Sequence, residues 1–406
     1  MGGKKSLTWL GLFFFLWTVC LISSSGVSAA GKNEILVGVP NSLTGSNAMN
    51  GAEQKWAYEQ AVADINKRGG VFVKELNKKL PIKLIFADDK SNNAESAAAM
   101  EKLIKVNKVN FALSSSVGPL TEAAATVCDK YKVYFAVTCC WPHMIEGKFK
   151  WATDFFFTAP GAAEVPFQIW KTLLPEADKI ERPVLMMQDN QDGQGLGEVF
   201  KHWAKEYGYT FVVDEPYAVG AKDFSSQILK WKAQNADALI WFGSPLDSIT
   251  VVRQIKEHNM NFKYIHGWMG FWATEFLKAL GKDSNYIIMD AFWSEHFPNP
   301  GAKELGQQYT KKFGKSSVSI GLYHANPQVL AQGIEKAGSL DPAKVRDAVI
   351  GGEFKGTTIG DLKFNEKGIA LIPSLALQWW NGERMPVWPL VKGGYTLKMM
   401  TPWDKR

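Results

Sequence analysis

The stretch Ile35-Leu36-Val37-Gly38-Val39-Pro40-Asn41 decides the fold, because five apolar residues in a row stop abruptly at proline and asparagine. A short apolar run bounded by turn residues is the pattern of a strand buried on both faces. After it, residues 51–68 carry a helical pattern closed by Gly69-Gly70, as helices commonly are. The unit then repeats, with a strand at 82–86, a helix at 94–107 and a strand at 109–113. A helix is expected to open on Ser114-Ser115-Ser116 and reach Tyr131, before a strand at 133–137. The rhythm restarts with strands at 183–187, 211–213, 238–242 and 264–266, separated by helices at 193–207, 224–235 and 246–258. Strands alternating with helices of ten or so residues imply parallel sheets covered on both faces, here in two tandem α/β units.

The 406 residues are 46% hydrophobic and 21% charged, which excludes disordered and fibrous classes and suits two domains. The first thirty differ: Lys4 and Lys5, an apolar run from Leu7 to Ile22, then Val27-Ser28-Ala29-Ala30. That is the layout of a secretory signal peptide, cleaved after Ala29 or Ala30, so the protein is read as periplasmic or extracellular. Cys20 as a lipidated residue is the alternative, although Trp17-Thr18-Val19 makes a poor lipidation box. Removing Lys4 and Lys5 lowers the formal charge from +6 to +4, and the remaining basic residues are scattered, so nucleic acid is not an expected partner. Cys128, Cys139 and Cys140 remain, an odd number for an oxidising compartment.

Ligands of open parallel sheets sit beyond the carboxyl ends of strands, where loops and helix N-termini converge. The loops to watch are 41–50, 88–92, 114–116, 138–141, 189–195, 243–247 and 267–272. They are rich in hydroxyls and aromatics, suited to carboxylates or amides against apolar walls. Zinc-type spacing is missing, since Cys139 and Cys140 are adjacent and the six histidines are scattered. Gly193-Gln194-Gly195-Leu196-Gly197 lacks the dinucleotide spacing, and there is no Gly-x-Ser-x-Gly. No cofactor, metal or catalysis is expected.

The segments Ile35 to Gly45, Gly51-Ala52-Glu53-Gln54 and Ala61 to Gly70 resemble the start of periplasmic leucine/isoleucine/valine-binding proteins. Ser114-Ser115-Ser116, Asp189 to Gly195, Lys222 to Ser226, Asn235 to Ala238 and Val252-Arg253-Gln254 continue the likeness in order. The resemblance implies an α/β type I periplasmic binding fold, with two Rossmann-like lobes, three hinge strands and a ligand cleft between them. It implies lobe 1 at residues 31–158 and 294–365, and lobe 2 at 159–293 and 366–406. It also implies a monomer that delivers a small-molecule ligand to the permease of an ABC importer.

Carried over by position, the resemblance puts Ser114, with Ser115 and Ser116, where the family holds a ligand carboxylate from a helix start. Thr138, Cys140 and Trp141 fall on its next ligand loop, with Cys140 at a threonine position. Asn50 and Asp192 replace aromatic residues, and Ser244, Trp268 and Met269 belong to the second-lobe loops. Met269 stands where amino-acid binders place a glutamate for the ligand's ammonium, so Asp192 or Asp247 supplies that charge or the ligand has none. Trp141, Trp268, Trp272 and Trp293 would form an aromatic wall. The ligand classes are then a branched-chain amino acid, an amide or a small carboxylate, aromatic ones included. A sensory module for a receptor kinase, or an exported thiol enzyme using Cys140, are the alternatives.

Overall fold

The computed structural model describes residues 33–406; the signal peptide expected at residues 1–30 and the lipidation alternative at Cys20 lie outside the described residues. Two sheets organise the chain. In the first, six parallel strands run in the order Ile369–Leu371, Ala152–Phe156, Phe135–Thr138, Phe111–Leu113, Ile35–Asn41 and Ile82–Asp88. The second carries five parallel strands, Val213–Tyr217, Pro183–Gln188, Ala238–Phe242, Tyr264–Gly267 and Ile288–Ala291. Leu375–Trp380 and Glu383–Trp388 extend it as an antiparallel hairpin.

The apolar runs decide this arrangement. Ala238–Phe242 is buried at every position, as a central strand covered on both faces must be. Helices fill the faces: Ala48–Lys67 lies against Ile320–Ala337 in the first lobe, and Ala159–Thr172 against Gln191–Glu206 in the second. The chain crosses between the lobes after Phe156, after Ala291 and after Leu371.

Three expectations need correction. The return to the second lobe at residue 366 comes too early, because Ile369–Leu371 pairs with Asp154–Phe156 and completes the first sheet. The second is the helix expected to open at Ser114, which begins at Gly118; the three serines spend their hydroxyls on tertiary partners instead of capping. The strand expected at 211–213 lies at Val213–Tyr217. It is an edge strand, buried only at its two ends and holding Pro216, and so carries little apolar signal.

Candidate functional site

The strand ends of the first lobe rest on a buried polar network. Asn41 Nδ2 donates to Gln54 Oε1 (2.7 Å) and to Gly51 O (3.1 Å). Gln54 Nε2 donates to Ser114 O at 3.0 Å, and Asn326 Nδ2 donates to Tyr58 Oη and Ala136 O, each at 3.0 Å. Gly51 permits the close approach, since a Cβ there would stand 2.0 Å from Ser42 O. The amide oxygens of Asn41 and Asn326 are left without a partner among the described residues, while the bonds that are made tie the strand ends to the helices beneath them.

The serines belong to that support. Ser114 N donates to Ala136 O, and Ser114 Oγ donates to Thr138 O while accepting from Thr138 N at 3.2 Å. Ser115 Oγ donates to Asp89, and Ser116 Oγ donates to Ser42 Oγ. Thr138 Oγ1 donates to Phe155 O. All four are buried, so the expected ligand-holding hydroxyls are committed within the lobe.

Cys140, expected on the next ligand loop, is placed in the core. Cys139 adopts a left-handed backbone, φ 55°, which interrupts the alternation of the strand. Cys140 turns into the apolar cluster with Cys128, Val137 and Ile145, its Sγ 3.8 Å from Gly118 O and 4.0 Å from Met144 Sδ. Burial raises both thiols, Cys139 to about 12 and Cys140 further, so neither is a thiolate at neutral pH. Cys128, Cys139 and Cys140 are unpaired. Among the described residues no three His, Cys, Asp or Glu side chains gather to hold a metal.

In the second lobe, Ser244 caps the helix Pro245–Glu257 by accepting from Asp247 N. A Cβ on Gly270 would stand 1.9 Å from Ser248 Oγ and 2.5 Å from Gly243 O, so the loop holding Met269 is pressed onto the loop holding Ser244. Met269 is 38% exposed. Asp247 is buried and accepts from Gln188 Nε2, Gly220 N and Tyr217 Oη, so it is engaged within its own lobe. Trp268 sits in the core against Phe200 and Phe242, and Trp293 is buried with its indole donating to Thr358 O. Asn50 and Asp192 are exposed, on the first turns of their helices.

An aromatic run joins the lobes, with Trp141 and Trp272 of the expected wall linked by Phe156, Phe157 and Phe292, which the sequence did not point to. Trp141 packs edge-on against Phe156 and Phe157, both at 5.5 Å. Phe292 follows at 5.5 and 5.3 Å from the same two rings, and Trp272 stands 4.8 Å beyond it. The run thus passes from a first-lobe loop, over two crossing segments, to a second-lobe loop. Trp272 Nε1 donates to Asp290 O (2.7 Å) and Oδ1 (3.1 Å). Burial holds the Asp290 carboxyl well above its ordinary range, and its Oδ2 has no partner. Arg384, also unforeseen, donates from Nη1 to Trp272 O and from Nη2 to Ser316 Oγ (2.6 Å).

The family model described as periplasmic binding protein matches residues 34–383. Leu/Ile/Val-binding protein homolog 2 of Brucella abortus is 24% identical over 390 residues, covering 90% of this chain and 95% of its own. The substrate-binding protein LivJ of a branched-chain amino acid transporter from Streptococcus pneumoniae, in complex with isoleucine, superposes with a TM-score of 0.70 at 20% identity. That match covers 86% of this chain and 97% of LivJ. The solute-binding protein of an ABC transporter from Rhodopseudomonas palustris BisB5, in complex with 3,4-dihydroxybenzoic acid, also gives 0.70, at 17% identity, covering 92% of this chain and 100% of that one. With its two α/β lobes of the type I fold and the family model matched over residues 34–383, the chain belongs to the periplasmic binding protein family.

Proposed function

We propose that this protein is the exported solute-binding component of an ABC importer and that it carries a small apolar carboxylate, aromatic ones included, to the permease. The observation behind the ligand class is the aromatic run from Trp141 through Phe156, Phe157 and Phe292 to Trp272, in which the half-buried Trp141, Phe292 and Trp272 would offer ring surface to a ligand over the buried Phe156 and Phe157. Met269 adds an apolar side chain where an acid would hold an ammonium group. With Asp247 buried and its Oδ2 engaged inside its lobe, the acid left for an ammonium is Asp192, exposed to water at the rim, and a solvated carboxylate offsets little of the cost of enclosing an ammonium. A carboxylate would find donors in the amides that open the helix Gly118–Tyr131. Asn50, Asp192 and Ser244 then line the rim.

Both ligand kinds occur on this fold, isoleucine in the Streptococcus protein and a dihydroxybenzoic acid in the Rhodopseudomonas protein; the aromatic floor favours the second for this chain. Closure follows because one ligand touches both lobes and so favours the state in which they meet. A thermal-shift screen tests the reading, since a ligand of the folded form raises the melting temperature by mass action. Aromatic and branched aliphatic acids should raise it, and a screen in which only zwitterionic amino acids do so refutes the ligand class.

A further inference from the structure

A cavity of about 280 Å³ opens between the lobes on a flank that none of the expected ligand loops lines. Lys315, Ser316 and Ser317, just past the helix Ala302–Phe313, form its first-lobe wall, and Trp379 and Arg384 of the C-terminal hairpin face them. Arg384 is 6% exposed, yet among the described residues no carboxylate oxygen lies within 4.0 Å of it. Its hydrogen-bond partners are Trp272 O and Ser316 Oγ, and its guanidinium lies 5.2 Å from the centre of the Trp379 ring, while a guanidinium carries five N–H donors. Burial lowers its pKa to about 10, which leaves it charged at neutral pH.

The nearby acids are otherwise engaged. Glu53 accepts from Tyr309, Ser317 and Ser319. Glu383 is exposed to water. Glu295 lies over Gly306, and burial raises its carboxyl above the ordinary range. A buried cation without an anion in contact is costly, and a planar fork of donors matches a carboxylate.

We propose that this cavity is a second binding site, taking a small monocarboxylate whose oxygens pair with the Arg384 guanidinium and accept from the Ser316 hydroxyl. Ser316 Oγ already accepts from Arg384 and keeps its own O–H to donate. Glu295 and Glu383 in the lining disfavour dianions. Because Ser316 belongs to one lobe and Arg384 to the other, the bound carboxylate holds the lobes together independently of the aromatic floor.

The test uses the mature protein labelled with [15N]arginine. Six arginines give six Nε–H signals, and the one missing from Arg384→Lys is that of Arg384. Sodium acetate and leucine serve as probes, one lacking and one carrying an ammonium, against sodium chloride at equal ionic strength. The Arg384 signal should move saturably with one or both probes and stay still with chloride. Ser316→Ala should weaken the response at least fivefold, and Trp141→Ala should leave it unchanged. No movement with either probe, equal movement with chloride, an unchanged Ser316→Ala response or loss of the response in Trp141→Ala overturns the proposal.

Discussion

Arg384 Nη2 donates to Ser316 Oγ at 2.6 Å, and this bond ties the C-terminal hairpin of one lobe to the loop after Ala302–Phe313 in the other. A hydrogen bond to a charged group contributes about 1.5–3 kcal/mol, enough to shift an open–closed equilibrium tenfold or more. Ser316→Ala should therefore fold normally but open the ligand-free protein, seen as a larger radius of gyration in small-angle scattering. An unchanged radius would show that the bond does not hold the lobes.

The aromatic run makes a separate prediction. Phe292 touches Phe156, Phe157 and Trp272, so Phe292→Ala removes the middle of the surface. Affinity for an aromatic carboxylate should fall at least tenfold, as measured by calorimetry, with a smaller loss for short aliphatic acids. Equal losses for both classes would mean that the ring serves packing alone.

Cys140 is part of a core. Cys140→Ser places a hydroxyl in the cluster with Cys128, Val137 and Ile145, and an unsatisfied buried hydroxyl costs about 1–3 kcal/mol. Denaturant unfolding should show that loss while ligand affinity stays within twofold of the parent. A large affinity loss at unchanged stability would return Cys140 to the ligand site.

His266 sets a pH dependence. Its Nδ1 pairs with Tyr264 Oη at 2.9 Å, its Nε2 has no partner, and burial lowers its pKa from 6.5 to about 3. Below pH 6.5 the unfolded chain binds a proton that the folded protein refuses. The His266 contribution to stability therefore falls with falling pH, by up to about 1.4 kcal/mol per unit through this window, against the opposite contribution of the buried carboxyls of Asp154 and Asp290. His266→Gln should remove that slope between pH 6.5 and 4 in urea unfolding; parallel curves for the two proteins would contradict it.

The sheets were legible because central strands such as Ala238–Phe242 are apolar on both faces, a pattern few other elements produce. The C-terminal hairpin was not, since Leu375–Trp380 joins the sheet by pairing with Ile288–Ala291, far away in sequence, and Glu383–Trp388 is attached only through it. Strand-end loops could be located, but not the direction of their side chains. Ser114 depends on partners at Tyr58, Thr138 and Asn326, and the left-handed turn at Cys139 sends Cys140 inward. Arg384 carried no local signal, as its partners Trp272 and Ser316 are 112 and 68 residues away.

The proposed interlobe site takes an apolar carboxylate on an aromatic floor. Calorimetric titration of the mature protein and its Trp141→Ala variant with aromatic carboxylates and with leucine, isoleucine and valine tests it most directly. At least one aromatic carboxylate should bind saturably, at least tenfold tighter than any of the three amino acids and weakened at least tenfold by Trp141→Ala. Tight binding of leucine, isoleucine or valine with none of the aromatic acids would contradict it.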